Sequence, residues 1–441
     1  MNTFFHSVTL DTDKCMGCIN CIKRCPTEAI RVRNKKATII AERCIDCGEC
    51  IRVCPHHAKK AIYDSLSVLK NYKYTIALPA PALYAQFNNL EEVEPVLNAL
   101  LDLGFDSVYE VAKAAEIVSD ATRKFMQQDH IPKPIISSAC PAITRLIRVR
   151  FPSLIDHILP LNAPVEVAAR LAKEEAAEKT GLPMEDIGAI FISPCPAKVT
   201  ASKMPLGIHK SEISAVVAIS DVYPKLLKYM KNSNESRIIA QAGKMGVSWA
   251  SSSGEAASLL NDNYLAADGI ENVIRVLEDL EDEKFLYLDF IELNACNAGC
   301  IGGVLTVENP YIARTKLKRL RKYLPVSLNH VETVDAKIKW NHPIEFTPVL
   351  KLDTDFNVAL EKMSEMERIA ASLPGLDCGS CGAPSCKALA EDVVRGIASP
   401  DECIYRFKEN ISSLVDKIKM LDLYIPDYLK NDNNTTKNEK E

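Results

Sequence analysis

The chain has 441 residues, 47% of them hydrophobic and 25% charged, which is room for two to four domains with a sizeable core. Lys and Arg number 53 against 58 Asp and Glu, a formal charge of −5 with no basic block, which argues against a nucleic-acid partner. No apolar stretch of about 18 residues occurs, so no membrane span is expected, and residues 1–14 lack the pattern of a secretory signal. Sixteen cysteines in such a chain fit metal sites in a reducing cytoplasm better than disulfides.

Residues 1–62 read as a two-cluster α+β ferredoxin-like module. Two runs of C-x2-C-x2-C-x3-C, at Cys15, Cys18, Cys21, Cys25 and at Cys44, Cys47, Cys50, Cys54, repeat at a spacing of 29, each followed by proline (Pro26, Pro55). In such runs three closely spaced thiolates wrap one 4Fe–4S cubane and the fourth reaches the neighbouring one. The expected sets are Cys15, Cys18, Cys21 and Cys54, and Cys44, Cys47, Cys50 and Cys25. Zinc is the alternative, though zinc sites usually pair C-x2-C units across a longer gap. The role implied is electron entry and exit.

Residues 72–345 read as an α/β domain. Apolar runs suited to buried strands lie at 74–78, 107–111, 134–138, 187–192, 215–219 and 286–291, with helices between them at 165–179 and 254–260. Three of these strands lead to cysteines: Cys140, Cys195 and Cys296, with Cys300 beside the last. Open α/β sheets place ligand sites beyond the carboxyl ends of strands, so these distant segments can converge on one cluster. Ser251, Ser252 and Ser253 should start a helix with a serine cap. Residues 346–372 form a linker and an amphipathic helix (358–372). A small helical domain (373–425) follows, and a polar tail (430–441) is expected to be disordered. The last cysteines, Cys378, Cys381, Cys386 and Cys403, have the spacing C-x2-C-x4-C-x16-C. That pattern resembles a small 4Fe–4S domain of electron-transfer and corrinoid-protein systems, with zinc again the alternative. Gly379 and Gly382 could bring backbone N–H groups to its sulfurs. The cysteines thus make four sets of four, implying four 4Fe–4S clusters. The histidines show no metal-ligand spacing, and no glycine loop for NAD or flavin is present.

The middle segments read Ser137-Ser138-Ala139-Cys140-Pro141, Ser193-Pro194-Cys195-Pro196-Ala197-Lys198 and Glu292-Leu293-Asn294-Ala295-Cys296-Asn297-Ala298-Gly299-Cys300-Ile301-Gly302-Gly303. In order and interval they resemble the three signature motifs of the diiron (iron-only) hydrogenases, whose catalytic domain has two lobes around the active-site cluster. The resemblance implies that Cys140, Cys195, Cys296 and Cys300 bind a 4Fe–4S cluster. Cys300 would also bridge to a diiron subsite with carbonyl, cyanide and dithiolate ligands, and Lys198 would hold one cyanide. An ammonium suits a small buried anionic ligand. A plain cubane without the diiron unit is the alternative.

Departures from the family pattern bear on proton transfer. Ala139 stands where efficient members carry a proton-shuttling cysteine, and a methyl group neither donates nor accepts a proton. The relay glutamates fall on Thr122 and Phe125. Ser193 and Asn294 replace methionines, and Ala82 stands where serine is common. The loss of the cysteine resembles the sensory hydrogenases. Glu292, or Glu116 with Asp120, could substitute for the relay, although for the latter pair a solvated helix face is expected. The reading is a cytoplasmic, low-activity hydrogenase that interconverts dihydrogen with protons and electrons and reports hydrogen or redox state to ferredoxin or a signalling protein. Maturation proteins would install the subsite. An ordinary ferredoxin-linked hydrogenase and a non-catalytic iron–sulfur scaffold are the other readings.

Overall fold

The computed structural model describes residues 5–232, 239–331 and 336–424. They fall into two compact units. The larger holds Met1–Met16, Arg24–Ala29 and Thr38–Val349; the smaller holds Gly17–Lys23, Ile30–Ala37 and Leu350–Glu441. The polar tail at 430–441 lies outside the described residues.

The larger unit is α/β, built on two parallel sheets. The first has the strand order Ser107–Val108, Tyr74–Pro79, Ile187–Ser193, Ala215–Ala218. All seven residues of Ile187–Ser193 are buried, as an uninterrupted apolar run requires of a strand covered on both faces. The second sheet has the order Tyr264–Asp268, Phe290–Asn294, Ile135–Ile136. The expected strands at 107–111 and 134–138 shorten to two residues each, and that at 286–291 begins later, because Leu286 and Tyr287 are exposed. Tyr264–Asp268 was missed: it is an edge strand with no fully buried residue, and its short Tyr-Leu-Ala-Ala run lacks β-branched residues. Pro164–Thr180 starts at a proline, ends at Gly181 in the left-handed region (φ 71°), and buries Ala168, Ala169, Ala172 and Ala176. These small side chains pack in one core with Ala114, Val118 and Ala121 of Val111–Met126.

Asp46, buried in the second cysteine run, anchors residues 7 and 8 to the α/β part of the unit. Its carboxylate accepts from the Ser7 and Val8 N–H groups (both 3.0 Å) and from Thr200 Oγ1 (2.8 Å), in the helix that follows Cys195.

Two expectations need correction. Glu116 is not on a solvated face; it is 1% exposed. Its carboxylate accepts from the N–H groups of Gly243 (2.8 Å), Leu328 (3.0 Å) and Asn329 (3.1 Å) and from Asn329 Nδ2 (2.7 Å). Asp120 pairs with Arg123 (2.7 Å) and accepts from Val331 N–H (2.9 Å). Both carboxylates tie the segment after Pro325 to their helix. The helix expected at 254–260 is shorter (Gly254–Ser258), and Ser253 occupies its cap position without a side-chain capping bond.

In the smaller unit, Phe356–Ala371 is capped by Asp355, whose side chain accepts from Asn357 and Val358 N–H. Cys386–Val394 is capped by Ser385, and Ile404–Tyr424 follows Cys403 directly. Arg31 and Arg33 both pair with buried Asp392 (2.7 and 2.8 Å). Met366, Ile369 and Leu389 pack with Cys403.

Removing the Glu116 carboxylate strands several buried donors at once. Glu116→Ala should lower stability by roughly 3 kcal/mol, read as a fall in the denaturant midpoint with the cluster absorbance retained beforehand. An unchanged midpoint would mean that Glu116 is not a structural anchor.

Candidate active site and cluster positions

The three hydrogenase-like segments leave the carboxyl ends of their strands and meet. Cys195 follows Ser193 of the first sheet, while Cys140 and Cys296 follow Ile136 and Asn294 of the second. Pro141 and Pro196 each open the next helix, a position where the missing N–H costs nothing. The double glycine of the third segment has a packing reason. A Cβ on Gly303 would lie 2.2 Å from Pro194 O, and Leu305 N–H donates to that same carbonyl (2.9 Å). Second and third segments are therefore locked backbone to backbone.

Cys140, Cys195, Cys296 and Cys300 are brought together closely enough for their charges to interact. Burial pushes the Cys195 thiol up to about 12; Lys198 opposes this, and Cys300 and Cys140 add to it. Cys296 is raised by burial and then by Cys195 and Cys140. Burial alone would lower the pKa of Lys198, but the charges of Cys300, Cys195 and Cys140 outweigh it and raise it. Buried thiols of this kind become thiolates when they ligate a metal.

Lys198 and Cys300 line a cavity of about 60 Å³, together with Ala139, Ala82, Asn294 and the carboxylates Glu255 and Glu292. Lys198 donates to Ala139 O (3.2 Å), one use of three N–H donors. Asn294 Nδ2 donates to Glu292 Oε1 (2.7 Å), whose carboxylate also accepts from Ser253 (3.0 Å) and Ala256 (2.9 Å) N–H. Ser137 Oγ donates to Glu255 Oε2 (2.6 Å), and Glu255 Oε1 is buried with no partner among the described residues. Burial, followed by the charge of Glu292, raises the pKa of Glu255; burial likewise raises that of Glu292. Four convergent thiols, one of which lines the cavity beside the Lys198 ammonium, fit a cubane with an attached anionic metal group.

Ser193 does not reach this cavity. Its hydroxyl donates to Cys195 O (3.0 Å) and accepts from Cys195 N–H (3.3 Å), bracing its own loop. Thr122, which stands where the family pattern has a relay glutamate, donates back to Val118 O (2.8 Å) within its helix. Glu255 was missed in the sequence: it sits in the first turn of a five-residue helix, and nothing in its spacing to Glu292 signals that they meet.

Cys25, Cys44, Cys47 and Cys50 also converge. Burial first, and then neighbouring charges including Cys50 and Cys25, raise both Cys44 and Cys47. The 29-residue repeat is visible in the bonding: Ala29 N–H donates to Cys25 Sγ (3.2 Å), and Ala58 N–H to Cys54 Sγ (3.3 Å). Such N–H···S contacts tune cluster potentials. Cys15 and Cys54 belong to the larger unit, and Cys18 and Cys21 to the smaller. Arg52, in this second run, donates to Gly302 O (2.8 Å), so the run touches the third hydrogenase-like segment. His6, Cys44 and Asp46 also come together, which sequence spacing did not show.

In the smaller unit, Ser380 hydrogen-bonds Cys378 through side chain and backbone and lowers its pKa. Burial raises Cys381, with Ala383 N–H and Arg33 opposing. Cys381, Cys386 and Cys403 share one packed cluster. Gly382 serves a different purpose from the one expected. Its φ is 81°, a Cβ would lie 1.8 Å from Val32 O, and its N–H donates to Gly379 O (2.9 Å).

The raised carboxylates set a pH dependence. The folded protein keeps protons on Glu255 and Glu292 that the unfolded chain has released, so stability falls as pH rises from the ordinary carboxylate range through neutrality. The double variant Glu255→Gln/Glu292→Gln should flatten this slope in denaturant melts of cluster-loaded protein. An unchanged slope would show that the pair is ionised when folded.

A family model for the C-terminal domain of the iron-only hydrogenase large subunit matches residues 73–228 and 222–304. A 4Fe-4S dicluster domain matches residues 7–55, and an Fe-S cluster family matches 373–405. The periplasmic Fe hydrogenase large subunit of Nitratidesulfovibrio vulgaris is 29% identical over 212 residues, 44% of this chain and 50% of that protein. Iron hydrogenase 1 of Clostridium pasteurianum is 22% identical over 420 residues, 76% of this chain and 73% of that protein. A variant of FeFe-hydrogenase HydA1 from Chlamydomonas reinhardtii superposes with a TM-score of 0.46 at 15% identity, covering 62% of this chain and 94% of that one. No described helix is long and apolar enough to cross a membrane. With one family model spanning more than half of its length, the chain belongs to the iron-only hydrogenases.

Proposed function

We propose that this protein is a diiron hydrogenase that binds dihydrogen and interconverts it slowly and reversibly with protons and electrons, acting in the cytoplasm as a hydrogen or redox sensor. The observation that carries the reading is Lys198, a buried ammonium lining one cavity with Cys300 and among four convergent thiols. In this reading Cys140, Cys195, Cys296 and Cys300 hold a 4Fe–4S cluster, and Cys300 also carries the diiron subsite, placed by maturation proteins. The subsite, with its carbonyl, cyanide and dithiolate ligands, supplies the polarisation of dihydrogen.

The chain's own residues do the rest. Lys198 offers N–H donors and a positive charge to an anionic ligand. Cys25, Cys44, Cys47 and Cys50 would hold a cubane that would supply electron transfer, and Arg52, bonded to Gly302 O, ties this run to the third segment. Cys15, Cys18, Cys21 and Cys54 hold another, and Cys378, Cys381, Cys386 and Cys403 a fourth, giving routes to ferredoxin or a signalling partner. Slow turnover follows from Ala139, whose methyl group lines the cavity where a proton carrier is needed.

A second reading, an ordinary ferredoxin-linked hydrogenase with its own proton path, is favoured by one observation. Glu255 and Glu292 line the same cavity, and burial biases both to carry a proton near neutral pH. Ala139→Cys decides between the two. With proton delivery limiting, hydrogen evolution by matured protein should rise on the order of 100-fold. No gain would mean that the carboxylates already supply protons at full rate.

Metal analysis bears on the cofactors directly. Matured protein should hold roughly 18 irons, four cubanes plus the subsite; roughly 16 after maturation would favour the non-catalytic scaffold.

A further inference from the structure

The helix Ile404–Tyr424 carries an apolar stripe that no described residue of its own unit covers. Ile404, Phe407, Ile411, Leu414, Ile418 and Leu421 are all between 46% and 63% exposed. Their spacing is strict: 404, 411 and 418 repeat every seven residues, as do 407, 414 and 421. A seven-residue repeat gives a period of 3.5, the seam of a left-handed coiled coil, rather than the broader stripe of a helix lying on a globular core.

We propose that this helix pairs in parallel with the same helix of a second copy of the chain. The residue types select that occupant. Ile fills every a position, and Leu fills two of three d positions, the combination that favours two parallel strands. No polar residue interrupts either row. Lys417 falls at a g position and Asp422 at the following e position, so an in-register parallel pair sets opposite charges at facing positions twice over. An antiparallel pair, which faces g with g, would lack this match. A lone 21-residue helix with such a stripe in water is marginal, and pairing removes the stripe from solvent.

The coil starts one residue after Cys403, the last cysteine of the C-terminal set. Parallel pairing therefore puts that cysteine at the same end of the coil in both copies, so a change at either set can be read by the shared helix pair.

Anaerobic sedimentation of the full chain, loaded with its clusters, tests this. The wild type should sediment at twice the mass of one chain. Ile411→Lys/Leu414→Lys, at positions exposed in the single chain, should sediment as one chain with unchanged cluster absorbance. Lys417→Asp should weaken the dimer, and adding Asp422→Lys should restore it. A wild type of single-chain mass would overturn the proposal, whether its helix docks on its own unit or on another protein. So would a dimer indifferent to the double lysine variant, and an association blind to the charge exchange would overturn the parallel arrangement.

Discussion

Buried thiols crowded around one buried ammonium are the constraint on which the larger unit depends. Burial pushes the Cys195 thiol to about 12 and raises Cys296, so the protein without metal holds a site hostile to the very anions that metals need. Lys198 supplies part of the compensating charge, and iron supplies the rest. Holding four such groups at one point takes rigid supports. Two parallel sheets supply them: three segments leave strand carboxyl ends, and Pro194 O meets both Gly303 and Leu305. Asp46 then fixes the electron-carrying module against the helix that starts beside Cys195.

Within that frame, function turns on a few side chains that cost little to change. Ala139 puts a methyl group, which neither donates nor accepts a proton, on the cavity wall next to Cys140. Asn294 gives the cavity a polar wall and is bonded to Glu292, while Glu255 keeps an oxygen without a partner among the described residues. A cavity with raised carboxylates but no thiol at Ala139 can take up protons yet lacks the group best placed to hand them on.

The cysteine runs and the α/β architecture left local marks: fixed spacings for the first, and apolar runs such as 187–192 for the second. What escaped was tertiary. Glu116 looked solvated because an unpaired carboxylate is rarely buried and Asp120 lies one turn away, yet it receives N–H groups from residues more than a hundred positions away. Glu255 carries no spacing signal to Glu292, since the two meet only once Gly254–Ser258 packs beside Phe290–Asn294. Ser193, which stands where the family pattern has methionine, braces Cys195 rather than lining the cavity, a difference of side-chain direction that a motif does not encode. The edge strand Tyr264–Asp268, half-buried throughout, left no alternation to read.

The central claim is that the Lys198–Cys300 cavity receives a carbonyl- and cyanide-bearing diiron group. Infrared spectroscopy of protein matured with that group tests it most directly. The account requires carbonyl and cyanide bands that shift under dihydrogen, with cyanide bands that also move when Lys198 is replaced by methionine. A silent carbonyl–cyanide region, with every cubane intact, would contradict it and leave an electron-transfer or scaffold protein on the hydrogenase fold.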